Sequence, residues 1–285
     1  MPRMMSMTSF PRRSEPHEIP RPVAAFFDLD GTLLPPPSLE WRFVRYLMSR
    51  AALRTPNILR WFLRALTAPA PAWDSRSVIA ANKSYLAGLP ESLATDWARS
   101  LNSFTGNASF PGIFSESLSR ILWHQSQDHR VFLVSGTLAP LAACLARSLP
   151  GDVEFIATEL ETSMRGISLS NAIWTGELLG EHMVGIAKCR ALQAVARTNH
   201  LDLRRCYAYG NSKPDCAMLE TVGNPIAVNA SRGLARIARE RHWPSIRWHT
   251  AEKFHKTLDK VFINLPGKNI PRKEANAQQS CVDPK

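Results

Sequence analysis

Short apolar runs alternate with helical patterns along most of this chain. Uninterrupted runs of this length are typical of strands buried on both faces of a parallel sheet. The candidate strands are 23–27, 131–135, 153–159, 205–209, 225–228 and 246–248. Apolar residues recur with the helical period at 113–127, 138–149, 188–200, 215–222 and 232–241. This alternation predicts an α/β fold with a parallel sheet, to which Gly and Asn residues within 161–177 add a short hairpin.

One long segment departs from the alternation of strands and helices. Between about 36 and 109 the pattern is helical and shows no convincing strand. Four helices are predicted there, separated by Pro and Gly, at 38–53, 56–67, 73–87 and 91–104. The sequence therefore predicts an all-helical insertion between the first two strands of the sheet.

Two carboxylates follow the first predicted strand directly. Asp28 and Asp30 lie where open α/β sheets bind their ligands, and Gly31 permits a tight turn just beyond them. Because side chains alternate along a strand, we expect both acids to point the same way, where they need a cation or a shared proton. A calcium loop would require further acids and a closing Glu, and the prolines at 35–37 oppose a simple hairpin.

Polar residues also stand at the ends of other predicted strands and helices. They are Ser135 and Gly136 after the second strand, Lys188 at the start of a helix, and Asn211 and Asp215 after the strand at 205–209. Each alone is typical of an ordinary turn or a solvated helix lysine. Spaced on successive strand–helix units, they predict one site at the carboxyl edge of the sheet.

The order of these motifs resembles the haloacid dehalogenase superfamily, and in detail its phosphoserine-phosphatase-like branch, subfamily IB. The resemblance covers residue 22 to about 250. It implies a Rossmann-like, doubly wound parallel sheet core, formed by 22–35 and 110–250, and an inserted all-helical cap of type C1 at 36–109. The basic segment 1–21 and the end of the extension 251–285, after about 265, are predicted to be disordered.

The resemblance also implies a role for each site residue. Asp28 is the expected nucleophile and forms an aspartyl-phosphate, while Asp30 is the expected general acid and then base. Ser135, Gly136 and Lys188 are expected to hold the phosphate group. The expected cofactor is Mg²⁺, bound by Asp28, the backbone carbonyl of Asp30, Asn211 and Asp215. Because Asp30 can protonate an alkoxide leaving group, the implied substrate is a phosphate monoester of a small or lipid-like molecule.

One residue departs from the family pattern. The last motif of relatives usually reads Gly-Asp-x-x-x-Asp, and here Asn211 replaces its first acid while Asp215 keeps the second. An amide oxygen can bind Mg²⁺ but adds no charge, so weaker metal binding or a larger share carried by Asp215 is expected. The alternative is a catalytically weak phosphate-binding or membrane-surface protein of the same fold.

Composition narrows the class of partner. The 285 residues carry a net charge of +11, but the Lys and Arg residues are spread out and form no nucleic-acid recognition motif. We therefore expect no nucleic-acid partner, and a field that attracts anionic substrates. Trp41, Trp61, Phe62 and Trp73 occur among arginines, which leaves peripheral contact with an anionic membrane open. The five cysteines form no C-x-x-C pair and predict a cytoplasmic protein, while no pattern indicates an oligomeric state.

Overall fold

The computed structural model describes residues 21–67, 81–105, 112–164 and 172–249. The predicted disordered segments, 1–21 and the part of the extension 251–285 after about 265, lie outside these ranges apart from residue 21, and so does most of the predicted helix 73–87. Within the described residues no helix is both long and apolar enough to cross a membrane.

Six parallel strands form the central sheet. In spatial order they are β3 (Val153–Thr158), β2 (Arg130–Leu138), β1 (Ala24–Phe27), β6 (Tyr207–Gly210), β7 (Asn224–Val228) and β8 (Ser245–Ile246). Every residue of β1 is buried, because this strand lies between β2 and β6 and both sheet faces are covered. The fold class predicted from the sequence, a doubly wound parallel sheet, is confirmed.

Helices connect the strands and cover the sheet. They are α1 (Leu39–Ser49), α2 (Thr55–Thr67), α3 (Ser92–Thr105), α4 (Ser115–Ser126), α5 (Ala139–Ser148), α6 (Ile186–Thr198), α7 (Cys216–Leu219) and α8 (Arg232–Glu240). Two apolar clusters form the core: the first contains Phe27 and Leu133, the second Phe26 and Leu192. Successive side chains of β1 enter different clusters, as expected for a strand at the centre of the fold.

Helices α1, α2 and α3 lie between β1 and β2, where the helical insertion was predicted. Phe43 of α1 packs against Trp97 of α3 and Trp174 of the hairpin. Both ends of the insertion meet at one point of the core, because the Phe114 N–H donates to the Leu33 carbonyl over 3.0 Å. The division into a core and a cap domain stays a prediction.

The predicted hairpin within 161–177 is confirmed, as the antiparallel strands β4 (Leu160–Met164) and β5 (Ala172–Leu178). Its connection, 165–171, lies outside the described residues. The hairpin joins the insertion through backbone hydrogen bonds: the Trp174 N–H donates to Leu89, and the Gly88 N–H donates to Trp174. Hairpin and insertion therefore pack on one another above the same side of the core.

Three predicted elements differ from the structure. Within the described part of the predicted helix 73–87, Ser84–Leu86 is only a 3₁₀ turn. The predicted helix 215–222 is reduced to a 3₁₀ turn, Lys213–Asp215, followed by the single turn α7. The reason is a capping box between Ser212 and Asp215, which starts the turn two residues earlier. Strand β6 begins at Tyr207 because the N–H groups of the two preceding residues donate to the Asp202 carbonyl in a turn.

Candidate active site

The polar residues predicted from the sequence meet where three neighbouring strands end. Asp28 follows β1 directly, and its backbone N–H donates to the Tyr209 carbonyl of β6 over 2.9 Å. Ser135 and Gly136 belong to the last part of β2, on the other side of β1. Asp215 follows β6. The carboxyl edge of the sheet therefore carries all three groups, as open α/β sheets do at their ligand sites.

Lys188 connects two of these ends in a buried ion triad. Its Nζ atom lies 2.6 Å from Asp28 Oδ1 and 2.7 Å from Asp215 Oδ1. The lysine side chain is only 3% exposed, so the three charges interact with little screening by water. Lys188 lies in the first turn of α6, as predicted, so the triad links the start of this helix to the ends of β1 and β6.

Asp28 is held by a hydroxyl as well as by the lysine. The Thr32 hydroxyl donates to Asp28 Oδ2 over 3.0 Å, from the turn that follows the strand. Burial, and then the negative charge of Asp215, raise the pKa of Asp28 above its ordinary value, while Lys188 lowers it. Burial also opposes the charge on Lys188, but the two carboxylates outweigh it and raise the lysine pKa. Lys188 is thus a fixed cation beside the proposed nucleophile.

Asp30 is hydrogen-bonded to the start of α1. Strand β1 ends at Phe27, so the alternation that predicted a common direction for the two acids does not extend to Asp30. Its Oδ1 accepts the backbone N–H of Leu39 over 2.7 Å, at the start of α1. Burial, chiefly, and the charge of Glu40 raise the pKa of Asp30, whereas the Leu39 N–H lowers it. A carboxyl with a raised pKa at the edge of the site suits a proton donor.

The end of β2 is irregular around Gly136, where its pairing with β3 shifts register. A Cβ atom there would lie 2.7 Å from Val184 Cγ2 and 3.1 Å from His182 Nε2, so only glycine fits without a shift. Ser135 Oγ accepts the Thr137 N–H over 3.1 Å. Among the described residues, Thr137 Oγ1 is the buried side-chain polar atom that finds no hydrogen-bond partner. It is therefore available to a bound ligand.

Asn211 and Asp215 make different contacts in the turn that follows β6. A Cβ atom on Gly31 would lie 1.9 Å from Asn211 Nδ2, so the amide side chain sits directly on the turn that contains Asp30. Asp215 Oδ2 accepts the Ser212 N–H and hydroxyl, over 2.9 and 2.8 Å, while its Oδ1 contacts Lys188. Both Asp215 oxygens thus have partners, as both Asp28 oxygens do, and the predicted role of Asp215 as a metal ligand stays a prediction.

The donor set suits a small, hard cation. Within the described ranges no three His, Cys, Asp or Glu side chains form a metal-binding group. A cation would therefore depend on the Asp28 carboxylate together with neutral oxygens, from the Asn211 amide and the Asp30 backbone. Carboxylate and carbonyl oxygens are ligands that Mg²⁺ accepts, since it keeps several waters of its own.

Sequence reasoning missed three polar residues of this site: Thr32, Thr137 and His182. Thr32 lies in the turn after β1 and Thr137 in the last part of β2, both within the motifs, and their side chains are buried. Their positions shortly after Asp28 and Ser135 are the signal that could have identified them. His182 lies outside the motifs, and its Nε2 is 3.3 Å from the Gly136 carbonyl oxygen. Its sequence position carries no comparable signal.

Comparison with known proteins agrees with this geometry. The family of haloacid dehalogenase-like hydrolases matches residues 25–220. The chain belongs to this family. A Streptomyces azureus protein named inhibition of morphological differentiation protein is 28% identical over 92% of this chain and 88% of its own length. A Mycobacterium tuberculosis protein named phosphoserine phosphatase is 29% identical over 81% of this chain and 72% of its own length.

Solved structures show the same fold. A protein of unknown function from Bordetella pertussis Tohama I aligns with a TM-score of 0.61 and 24% identity, over 79% of this chain and 98% of that one. A phospho-aspartyl intermediate analogue of phosphoserine phosphatase aligns with a TM-score of 0.52 and 17% identity, over 85% and 99%. The predicted membership of the haloacid dehalogenase superfamily, and with it a hydrolytic enzyme, is confirmed.

Proposed function

We propose that this haloacid dehalogenase-like hydrolase is a Mg²⁺-dependent phosphatase. It hydrolyses a phosphate monoester of a small or lipid-like molecule through an aspartyl-phosphate on Asp28. The buried triad carries the proposal, because it fixes a carboxylate oxygen of Asp28 against a permanent cation at the carboxyl edge of the sheet. Relatives named phosphatases support the reaction class.

Each residue contributes by position and charge, which is what phosphoryl transfer demands. Asp28 attacks phosphorus through one carboxylate oxygen, while Lys188 on Oδ1 and the Thr32 hydroxyl on Oδ2 hold the carboxylate in place. The Thr137 hydroxyl and the Ser135–Gly136 loop offer donors to the phosphate oxygens. Asp30 gives its proton to the leaving alcohol and then takes one from the water that hydrolyses the intermediate. Asp28, Asn211 and the Asp30 carbonyl would hold Mg²⁺, which would supply positive charge beside the transferred group.

The expected metal dependence gives a direct test. Hydrolysis of para-nitrophenyl phosphate by the purified protein should require Mg²⁺ and stop on chelation, then recover when Mg²⁺ is restored. Activity that survives thorough chelation would rule out the metal-dependent mechanism. If the protein instead binds phosphate without hydrolysing any ester of a broad panel, the catalytically weak alternative is correct.

Asn211 should limit the affinity for Mg²⁺. We expect Asn211→Asp to lower the Mg²⁺ concentration for half-maximal activity by about threefold to tenfold, because a carboxylate adds charge that an amide lacks. Asp215→Asn should mainly reduce the maximal rate, since Asp215 contacts Lys188 rather than an open position. Titration of Mg²⁺ in the two variants separates these effects. A strong rise in the Mg²⁺ requirement of Asp215→Asn would instead make Asp215 a metal ligand.

A surface of α2 favours contact with an anionic membrane. Ile58, Leu59, Phe62 and Leu66 lie on one side of this helix and are each more than half exposed. The helix contains no acidic residue, and exposed Arg60 lies on the side that faces away from these residues. Apolar side chains on one side of a helix and arginine on the other suit the boundary between acyl chains and anionic headgroups. The partner we propose for this surface is therefore an anionic lipid bilayer.

Vesicle binding tests the membrane contact. We expect the protein to sediment with vesicles that contain phosphatidylserine, and binding to phosphatidylcholine vesicles to be at least about tenfold weaker because arginine attracts anionic lipid. Leu59→Ser/Phe62→Ser should abolish binding without changing turnover of a soluble ester, since α2 lies outside the proposed catalytic residues. Unchanged vesicle binding by this variant would disprove the proposal.

The free thiols of Cys144, Cys189, Cys206 and Cys216 support the cytoplasm as the place of action.

A further inference from the structure

A second buried ion pair borders the proposed active site and takes no part in the mechanism described above. Lys83 Nζ lies 2.5 Å from Glu40 Oε2 and 2.7 Å from its Oε1. The Tyr85 hydroxyl donates to Glu40 Oε1 over 2.6 Å. The lysine side chain is 2% exposed and the glutamate 20%, so a nearly buried cation faces a carboxylate that still reaches solvent. Burial of such a pair is costly, which makes its position informative.

The pair lies next to residues of the proposed active site. Glu40 is the residue after Leu39, whose N–H holds Asp30, so the start of α1 brings Glu40 beside the proposed proton donor. Burial and then the charge of Lys83 lower the pKa of His182, and His182 contacts Gly136 at the end of β2. The Glu40–Lys83 pair is therefore close both to Asp30 and to the His182–Gly136 contact, and we take the leaving group to lie beside it.

The chemistry of the pair decides what it can recognise. A lone carboxylate at this place would attract an ammonium group on the substrate. Here both Glu40 oxygens already accept hydrogen bonds from Lys83, and one of them also from Tyr85. A substrate cation would have to displace Lys83, or lie close to its charge in a poorly solvated place, and either costs free energy.

We propose that the Glu40–Lys83 pair sets the leaving-group specificity: it favours phosphate esters of uncharged alcohols and rejects esters that carry an ammonium group. This inference rests on the proposed phosphatase function. Lys83 neutralises Glu40 and occupies the carboxylate that a cationic substrate would otherwise bind. Tyr85 fixes the carboxylate in that arrangement through its hydroxyl.

Two esters of the same size separate the charge effect from a general loss of activity. 2-Aminoethyl phosphate and propyl phosphate differ by an ammonium group in place of a methyl group. For the wild-type enzyme we expect kcat/KM for propyl phosphate to be higher by at least about tenfold. Lys83→Met should move the ratio toward 2-aminoethyl phosphate by at least about tenfold, because Glu40 is then an unpaired carboxylate. A merely structural role for Lys83 would lower both values together.

The double variant Lys83→Met/Glu40→Gln provides the control, since it removes both charges and should restore the wild-type preference. If Lys83→Met does not fold, Glu40→Gln gives an independent test. It leaves the cation of Lys83 unpaired and should raise relative turnover of phosphoglycolate, whose leaving group carries a carboxylate. Equal wild-type turnover of the two matched esters, or unchanged ratios in the variants, would overturn the proposal. If the wild type hydrolyses para-nitrophenyl phosphate but none of these esters, the specificity proposal is overturned while the phosphatase function stands.

Discussion

Replacement of Asp28 by Asn should reduce phosphatase activity by at least about a thousandfold, because an amide oxygen cannot form the covalent intermediate. The loss should be in kcat rather than in KM, since Lys188 and the β2 loop remain to bind phosphate. The fold should survive, because Asp215 still pairs with the buried lysine. Steady-state kinetics with para-nitrophenyl phosphate, together with a thermal unfolding curve, measures both expectations.

Two further variants frame this result. Asp30→Asn should slow formation and hydrolysis of the intermediate, because the same carboxyl acts first as acid and then as base. Asp152→Asn, at an exposed turn before β3, should leave the rate unchanged and serves as the matched control. An acid-stable phosphate label should be found on the wild-type protein and be absent from Asp28→Asn. Near-normal turnover by Asp28→Asn would show that another residue is the nucleophile.

Replacement of Lys188 by Met should be the most destabilising single change at this site. It leaves Asp28 and Asp215 as buried, unpaired carboxylates that repel one another, and breaking a buried pair in this way costs about 3–5 kcal/mol. Activity should be lost as well, because the fixed cation beside the proposed nucleophile is gone. Urea unfolding followed by circular dichroism gives the free energy of unfolding.

Arg190→Met provides a matched control on the same helix. Arg190 pairs with Glu181 at the surface, where both side chains are more than half exposed. Solvent screens such a pair, so its loss should cost less than about 1 kcal/mol. Equal free-energy losses for Lys188→Met and Arg190→Met would mean that the triad is not an important source of stability.

The sequence predicted the central sheet because buried parallel strands have a local signature. β1 and residues 131–134 of β2 are apolar runs without interruption, as expected for strands buried on both faces. The residues that end these strands were predictable for the same reason: a carboxylate or hydroxyl directly after such a run has few structural uses. Asp28 and Ser135 were found in this way.

Contacts between distant segments were not predictable. Nothing local to Asp215 shows that its two oxygens accept hydrogen bonds from Lys188 and from Ser212, and its role as a metal ligand stays a prediction. The shortened helix at α7 has the same origin, since the capping box that starts the 3₁₀ turn also depends on Asp215. Glu40 and Lys83 are 43 residues apart, and only the folded insertion brings them together.

The hydrogen bond between the Phe114 N–H and the Leu33 carbonyl has a consequence for how such enzymes diversify. Because this hydrogen bond closes the base of the insertion, the insertion is attached to the core at one fixed pair of residues, whatever segment lies between them. The entropy of closing a loop grows only slowly with its length, so an insertion of different size or sequence can be exchanged there at little cost to the sheet. Grafting the segment between these two residues from a relative should therefore transfer substrate preference while the catalytic framework stays the same.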